Sequence, residues 1–202
     1  MNSIILCEGF DDVFILGYYL FKTSGWKREK DGKISDLYDF PKVNFSNQII
    51  EVYKKGNDSL AIWGIGGKDS FEKPFKFLKK INEIHPQEGF GKIFILSDRD
   101  SFQIEDCIKT IEVKMKKYGF DVYNLQNNKP NEFSYEVENE IFNLYIIPII
   151  IPFNEEGSIE NILLNAIKET GEDEKYIVDE AKKYVDSLIY SGKLKNIFIM
   201  KD

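Results

Sequence analysis

Apolar residues occur along the chain in two patterns, short continuous runs and longer stretches with helical spacing. The continuous runs, residues 3–7, 59–65 and 92–97, are typical of strands buried on both faces of a parallel sheet. Each run is followed by a segment in which apolar residues recur every three or four positions, as in an amphipathic helix. Three strand–helix units in succession predict a parallel sheet with helices on both faces and right-handed crossovers.

The segments between and after these units are less regular. Residues 22–44 lose periodicity and contain two glycines and a proline, which predicts a long loop or a small insertion. Ser46 is a candidate cap for a short helix that ends near Gly56. Residues 120–125 are a candidate fourth strand. Residues 142–153 are apolar but interrupted by two prolines, which predicts an edge strand or a pair of short strands.

Two more helices are predicted near the C-terminal end, over residues 159–167 and 173–190. We therefore expect an α/β domain over residues 1–170, with a mostly parallel central sheet flanked by helices. A helical extension would follow over residues 171–202. A chain of 202 residues is long enough to bury a core of its own.

Composition narrows the class of protein. The chain is 43% hydrophobic and 14% aromatic, which excludes a disordered protein. Its net charge of −7 argues against a surface that attracts nucleic acid everywhere, but permits a local basic path. Two cysteines in apolar stretches, Cys7 and Cys107, favour a reduced, cytoplasmic setting. The N-terminal pattern is not that of a signal peptide, and residues 144–153, the longest apolar stretch, are too few for a membrane span.

Acidic residues directly follow the first and third predicted strands, where parallel α/β proteins bind ligands. Glu8 follows the first strand, and Asp98 and Asp100 follow the third. If these strands are neighbours, the three carboxylates converge, and their repulsion requires a raised pKa or a cation. Oxygen ligands favour magnesium. Because the chain has one histidine and its cysteines lie in apolar runs, a zinc site is not expected.

Most of the acids at the ends of the predicted strands, and two further acids near predicted helix N-termini, also have an ordinary structural explanation. Acids at a helix N-terminus cap the helix and favour its dipole, which would explain Asp12 and Glu160. Aspartate is common in strand-to-helix loops, which would explain Asp98 and Asp100. Glu8, directly after a buried strand, has no such explanation, and the metal hypothesis depends on it most.

A glycine pair followed by a lysine, Gly66, Gly67 and Lys68, ends the second predicted strand. The glycines would allow a turn with positive φ. The same three residues could instead contact a phosphate, although they match no P-loop.

Four segments of the sequence resemble TOPRIM domains, which occur in topoisomerases, primases, OLD-family nucleases and small ribosomal-RNA maturation nucleases. Residues 7–12 (CEGFDD) are similar to their glutamate motif, and residues 93–100 (IFILSDRD) to their aspartate-x-aspartate motif. Residues 66–69 and 151–164 resemble the glycine turn and the late strand–helix segment of OLD-like and stand-alone members. The resemblance covers about residues 3–166 and implies a Rossmann-like TOPRIM fold.

The resemblance implies a role for each matched acid. Glu8 would be a general acid or base or a metal ligand, and Asp98 and Asp100 would hold Mg²⁺, for which Mn²⁺ could substitute. Asp12 and Glu160 would complete a second metal position. Two metals can activate water and neutralise the leaving oxygen in phosphodiester cleavage. The sequence shows no tyrosine-nucleophile domain of a topoisomerase and no zinc-binding or helicase portion of a primase, which leaves the stand-alone or nuclease branch.

Three functions remain as hypotheses. The first is a magnesium-dependent nuclease, or a related phosphoryl-transfer enzyme, acting on DNA or RNA. The second is a non-catalytic TOPRIM-like module that binds a nucleotide or nucleic acid, or serves a partner ATPase. The third is a haloacid-dehalogenase-like phosphatase, because Asp98 and Asp100 resemble that family's paired aspartates, although its motif normally ends the first strand. The sequence leaves the oligomeric state open.

Overall fold

The computed structural model describes residues 2–29, 48–87 and 89–190. Within these ranges it contains one seven-stranded sheet and five α-helices. The strands are β1 (Asn2–Cys7), β2 (Lys27–Arg28), β3 (Ile49–Lys55), β4 (Asp58–Gly64), β5 (Phe90–Asp98), β6 (Asn131–Val137) and β7 (Glu140–Ile151). The helices are α1 (Phe10–Ser24), α2 (Glu72–Ile84), α3 (Ile104–Lys117), α4 (Ile159–Lys168) and α5 (Glu172–Tyr190).

The sheet is parallel in its centre and antiparallel at both edges. The strand order is β2-β3-β4-β1-β5-β7-β6. The four central strands, β4, β1, β5 and β7, pair in parallel, whereas β3 pairs antiparallel with β2 and β4, and β6 with β7. The predicted α/β class and parallel centre are confirmed. The first and third predicted strands, now β1 and β5, are neighbours, as the site hypothesis requires.

The central strands are continuous apolar runs because their side chains are buried. Ile4 of β1, Trp63 of β4 and Ile93 of β5 are fully buried in one cluster. Phe75 of α2 and Met115 of α3 belong to the same cluster and are also fully buried. Burying each such side chain contributes about 1.5–3 kcal/mol, so this cluster holds β1 and β5 in the register that brings their carboxyl ends together.

The predicted helix ending near Gly56 is wrong, because residues 49–55 form strand β3. Ile50, Val52 and Tyr53 are of the β-branched and aromatic types that suit a pleated surface, and they pair antiparallel with β4. Gly56, with φ of 59°, allows the tight turn between the two strands. Ser46, the predicted cap, lies outside the described residues.

The predicted insertion over residues 22–44 begins with regular structure. Helix α1 continues to Ser24 and ends at Gly25, which has φ of 72°, a common helix end. Strand β2 follows, and Arg28 forms an ion pair with Glu51 of β3. Residues 30–44, the rest of the predicted insertion, lie outside the described ranges.

The predicted fourth strand over residues 120–125 is also wrong, because none of these residues pairs in a sheet. Phe120, Val122 and Leu125 are buried in the core, so their apolar character reflects packing. The position beside β5 is occupied by β7, which lies between β5 and β6. The sheet therefore gains its next parallel strand from a segment further along the chain.

Strand β7 is one continuous inner strand of 12 residues, not the edge strand or pair of short strands predicted. Its pairing with β6 ends at Ile146. The carbonyl of Pro148 accepts from the N–H of Asn128 at 2.7 Å, so the nitrogen of Pro148, on the same side of the strand, faces away from β5. The proline therefore removes no hydrogen bond from the ladder with β5.

The chain divides into two compact units, Met1–Gly157 and Ser158–Asp202. In the second unit, α4 and α5 confirm the two predicted C-terminal helices and are joined by an ion pair of 2.5 Å between Lys168 and Asp179. The boundary predicted after residue 170 falls inside this second unit and stays a prediction. None of the helices in the described ranges is long and apolar enough to cross a membrane.

We expect Asn82→Ala to lower the free energy of unfolding by about 2–4 kcal/mol, because two buried backbone groups would lose their partners. The buried Asn82 amide donates to the carbonyl of Phe90 at 3.0 Å and accepts from its N–H at 3.0 Å, which fixes the start of β5. Denaturant unfolding measures the loss. Lys80→Ala, at an exposed position of α2, is the control, with an expected change within about 0.5 kcal/mol. Equal stabilities of the two variants would contradict this role of Asn82.

Candidate functional site

The parallel pairing of β1 with β5 places Glu8 beside the end of β5. The backbone N–H of Asp98 donates to Glu8 Oε1 at 3.0 Å. The hydroxyl of the buried Ser97 donates to the same oxygen at 2.6 Å. The carboxylate of Glu8 is therefore held in place by two donors from β5, and the predicted neighbourhood of Glu8 and Asp98 is observed.

The glycine turn after β4 is fastened to the backbone of Glu8. The N–H groups of Gly66 and Gly67 donate to the carbonyl of Glu8 at 3.0 and 2.8 Å. The φ angles of Gly66 and Gly67, 81° and 109°, lie in the region that favours glycine. Both N–H groups therefore already donate within the protein. Of the three residues predicted to contact a phosphate, Lys68 is the one that offers a positive charge.

Lys68 lies among the acids, a position that the sequence analysis did not predict. Its Nζ donates to the backbone carbonyl of Asp98 at 2.8 Å and to the carboxylate of Asp100. It lies 3.7 Å from Glu8 Oε1. One ammonium group therefore contacts oxygen atoms of all three predicted site residues.

Asp100 is held by its backbone in an unusual conformation. Its φ is 52°, in the left-handed region that aspartate tolerates better than most residues. The N–H of Asp100 donates to the carbonyl of Gly157, and the N–H of Gly157 donates back to Asp100, both at 2.7 Å. The side chain is 51% exposed, so its carboxylate is accessible to a ligand from solvent.

The two residues predicted for a second metal position have structural partners of their own. Asp12 Oδ2 accepts from the N–H of Gly9 at 2.7 Å, which caps the N-terminus of α1. Glu160 lies in the second unit, where its carboxylate accepts from the hydroxyl of Ser158. These contacts agree with the capping explanation, and the metal role of both residues stays a prediction.

Charge and burial act against each other in this site. Burial raises the pKa of Glu8, while the hydrogen bond from Ser97 and the charge of Lys68 oppose that rise. Burial also disfavours the charged form of Lys68, but the hydrogen bond to Asp100 and the charge of Glu8 outweigh it, so the pKa of Lys68 is raised. Lys68 is therefore a cation at neutral pH. Glu8 holds a proton more strongly than an ordinary glutamate.

The donor atoms fit a hard cation. Carboxylate and backbone carbonyl oxygens surround Lys68 Nζ, and such oxygens are the ligands that Mg²⁺ prefers. No group of three or more His, Cys, Asp or Glu side chains in the described ranges is arranged to hold a metal ion. The oxygens are therefore of the donor type that Mg²⁺ prefers, but their carboxylates are not grouped as a metal site, and the ammonium of Lys68 lies among them.

Comparison with known proteins adds one structural relative. No protein-family model and no curated protein matches the sequence. The crystal structure of a hypothetical protein from Pyrococcus horikoshii is similar, with a TM-score of 0.57 and 16% sequence identity over 90% of this chain and 74% of that one. At this identity the likeness concerns the α/β fold alone.

We expect Lys68→Met to raise the pKa of Glu8 further, because it removes a positive charge 3.7 Å from the carboxylate that opposes the effect of burial. Titration of the Glu8 carboxyl carbon by NMR measures this shift, with Glu8→Gln used to assign the signal. Lys109→Met, at an exposed position of α3, is the matched control. An unchanged Glu8 titration in Lys68→Met would contradict the position of the ammonium.

We also expect Glu8→Gln to gain stability relative to the natural protein as pH rises. The raised pKa of Glu8 means that the folded state keeps a proton that the unfolded state has lost. The stabilising contribution is therefore complete below the unfolded-state pKa and is lost as pH rises through the folded-state pKa. Glutamine does not titrate, so the difference in unfolding free energy should grow across this window and then level off. Denaturant unfolding at several pH values, with Glu105→Gln as control, measures this difference, and a decrease would contradict the sign.

Proposed function

We propose that this protein is a TOPRIM-like, magnesium-dependent enzyme that cleaves phosphodiester bonds in nucleic acid or carries out a related phosphoryl transfer. The observation that carries this proposal is the convergence of the Glu8 and Asp100 carboxylates and the backbone carbonyl of Asp98 on the ammonium of Lys68, at the carboxyl edge of β1 and β5. In α/β sheets this edge is where ligands bind. The proposal includes a TOPRIM-type arrangement of the four central parallel strands.

Glu8 is proposed as the general acid or base. Burial raises its pKa, which brings the group closer to the pH at which proton transfer is most effective. Its Oε1 is oriented by Ser97 and by the N–H of Asp98. The side chain is 17% exposed, so Glu8 is both positioned by the protein and open to a substrate at the sheet edge.

Asp98 and Asp100 are proposed to hold the metal. When bound, Mg²⁺ or Mn²⁺ would supply positive charge to the phosphate and lower the pKa of a coordinated water. Lys68 would then be a phosphate contact, since its ammonium is a mobile point charge on a flexible stem. Asp12 and Glu160 remain the residues proposed for a second metal ion.

A non-catalytic binding module is the second candidate, favoured by the ion pairs of Lys68. With Lys68 between Glu8 and Asp100, the acids have a counter-charge from the protein itself. Such a site could bind nucleotide or nucleic acid, or support a partner ATPase, without turnover. The net charge of −7 is consistent with this candidate, and a cytoplasmic location is proposed for either function.

The test is cleavage of labelled DNA and RNA, each single- and double-stranded, with Mg²⁺, with Mn²⁺ and with EDTA. We expect metal-dependent cleavage that falls at least about 100-fold in Asp98→Asn/Asp100→Asn, because charge stabilisation of the transition state is lost. Asp173→Asn, an exposed acid in α5, is the matched control. Thermal melts followed by circular dichroism establish that each variant is folded.

The outcomes separate the candidates. Cleavage that survives Asp98→Asn/Asp100→Asn contradicts the proposed site. Binding of Mg²⁺ and oligonucleotide by calorimetry, without turnover of any substrate, supports the binding module. Phosphate trapped covalently on Asp98 would identify the haloacid-dehalogenase-like alternative instead.

A further inference from the structure

A cavity of about 210 Å³ lies beside the acids. Its walls come from the helical turn Lys68–Phe71, the end of β5, the loop that follows it and residues 106–114 of α3. Lys68 and Ser97 belong both to this cavity and to the acid site, because Ser97 donates to Glu8 and Lys68 donates to Asp100. A ligand that fills the cavity therefore reaches the acid site directly.

We propose that this cavity binds the base and sugar of one nucleotide unit of a single-stranded nucleic acid, with the adjacent phosphate at Lys68. The choice of nucleic acid as ligand rests on the proposed function. The sequence motifs and the acids identify no residues that would bind the nucleoside part of the substrate. The cavity provides a location for it.

The aromatic residues of the cavity suit a base. Phe102 is 55% exposed at the edge of the cavity, and Lys68 Nζ lies 6.0 Å from the centre of its ring. Phe71 is a buried residue of the cavity lining, and Lys114 Nζ lies 5.5 Å from the centre of that ring. An exposed aromatic ring beside a cation is the combination that proteins use to stack a base and hold its phosphate.

Polar groups of the cavity are placed to contact the edge of a base. The hydroxyl of Thr110 donates to the backbone carbonyl of Asp106 at 2.9 Å, so its oxygen can accept from a base N–H. Lys114 Nζ donates to the carbonyl of Lys68 at 2.5 Å and lies 3.4 Å from Asp69 Oδ1, and Asp106 also lines the cavity. Lys68 is the cavity lysine that contacts Glu8 and Asp100, so the phosphate of the bound unit is placed at that end of the cavity.

The volume of the cavity limits the ligand to one nucleoside. Sites that enclose a whole drug-sized molecule measure about 300–1,000 Å³, and this cavity is smaller. A longer segment of nucleic acid would have to extend past the acid site, outside the cavity. This arrangement places the phosphate of the bound unit, and not a distant one, beside Glu8.

The test measures binding without catalysis, by calorimetry in EDTA, of nucleoside monophosphates, a single-stranded hexanucleotide and inorganic phosphate. We expect the monophosphate and the hexanucleotide to bind, and inorganic phosphate to bind at least about tenfold more weakly, because stacking on an aromatic ring accounts for about that factor. Phe102→Ala should weaken both nucleotide ligands about tenfold. Thr110→Trp should weaken them at least as much, because it fills the cavity.

Matched controls distinguish the cavity from a general surface effect. Tyr123→Ala removes an aromatic ring that is 63% exposed and lies outside this cavity. Val113→Trp adds the same bulk as Thr110→Trp on a neighbouring turn of α3, at a residue that is 62% exposed. Both controls should bind the two nucleotide ligands as the natural protein does, and all four variants should keep its melting temperature within a few degrees.

The proposal would be overturned by no nucleotide binding, by binding insensitive to both Phe102→Ala and Thr110→Trp, or by inorganic phosphate binding as tightly as the monophosphate. Binding of the monophosphate without the hexanucleotide would also overturn it, because the ligand would be a free nucleotide. Metal is absent throughout, so a lack of cleavage, which bears on the proposed function, is a separate result from a lack of nucleotide binding.

Discussion

The central position of β1, paired in parallel with β4 on one side and β5 on the other, determines where Glu8, Lys68 and Asp98 lie. Glu8 is the first residue after this strand. Its carbonyl accepts from the glycine turn that ends β4, and its carboxylate accepts from the end of β5. The apolar side chains that keep β1, β4 and β5 buried side by side therefore also bring Gly67, Lys68 and Asp98 to one edge of the sheet. The stability of the core and the geometry of the site have the same origin.

Three carboxyl-bearing residues at one edge need a counter-charge, and Lys68 supplies it. A carboxylate that loses solvent without a partner is disfavoured in its charged form, and burial does raise the pKa of Glu8. The ammonium limits this rise and keeps Asp100 paired. Because Lys68 is fixed at its backbone by the glycine turn but carries its charge on a four-carbon stem, the charge can move while the acids stay in place.

The sequence was sufficient for β1, β4 and β5 and for the five α-helices in the described part of the chain, because their apolar patterns are continuous over whole elements. The sequence was insufficient for segments whose structure depends on the strand that lies beside them. Residues 49–55 became a strand because β4 offers an unpaired edge, and Pro148 is accepted inside the sheet because its nitrogen faces the side where β6 has ended. Glu8 and Asp98 could be paired from the sequence once β1 and β5 were assumed to be neighbours. The position of Lys68 among the acids could not be predicted from the sequence, because it depends on β4 pairing with the other side of β1.

Whether this site is catalytic or only binds ligands depends on whether the ammonium of Lys68 can yield its place to a divalent ion. The oxygen atoms around Lys68 Nζ would attract a charge of two more strongly than a charge of one at the same distance. Lys68 is 32% exposed, so its ammonium could move toward solvent or toward a phosphate without crossing the core. A phosphate at the cavity would favour this movement, because it offers the ammonium a new anionic partner. Substrate and metal would then each favour the binding of the other, and a site that is ion-paired in isolation would become a metal site in the presence of nucleic acid.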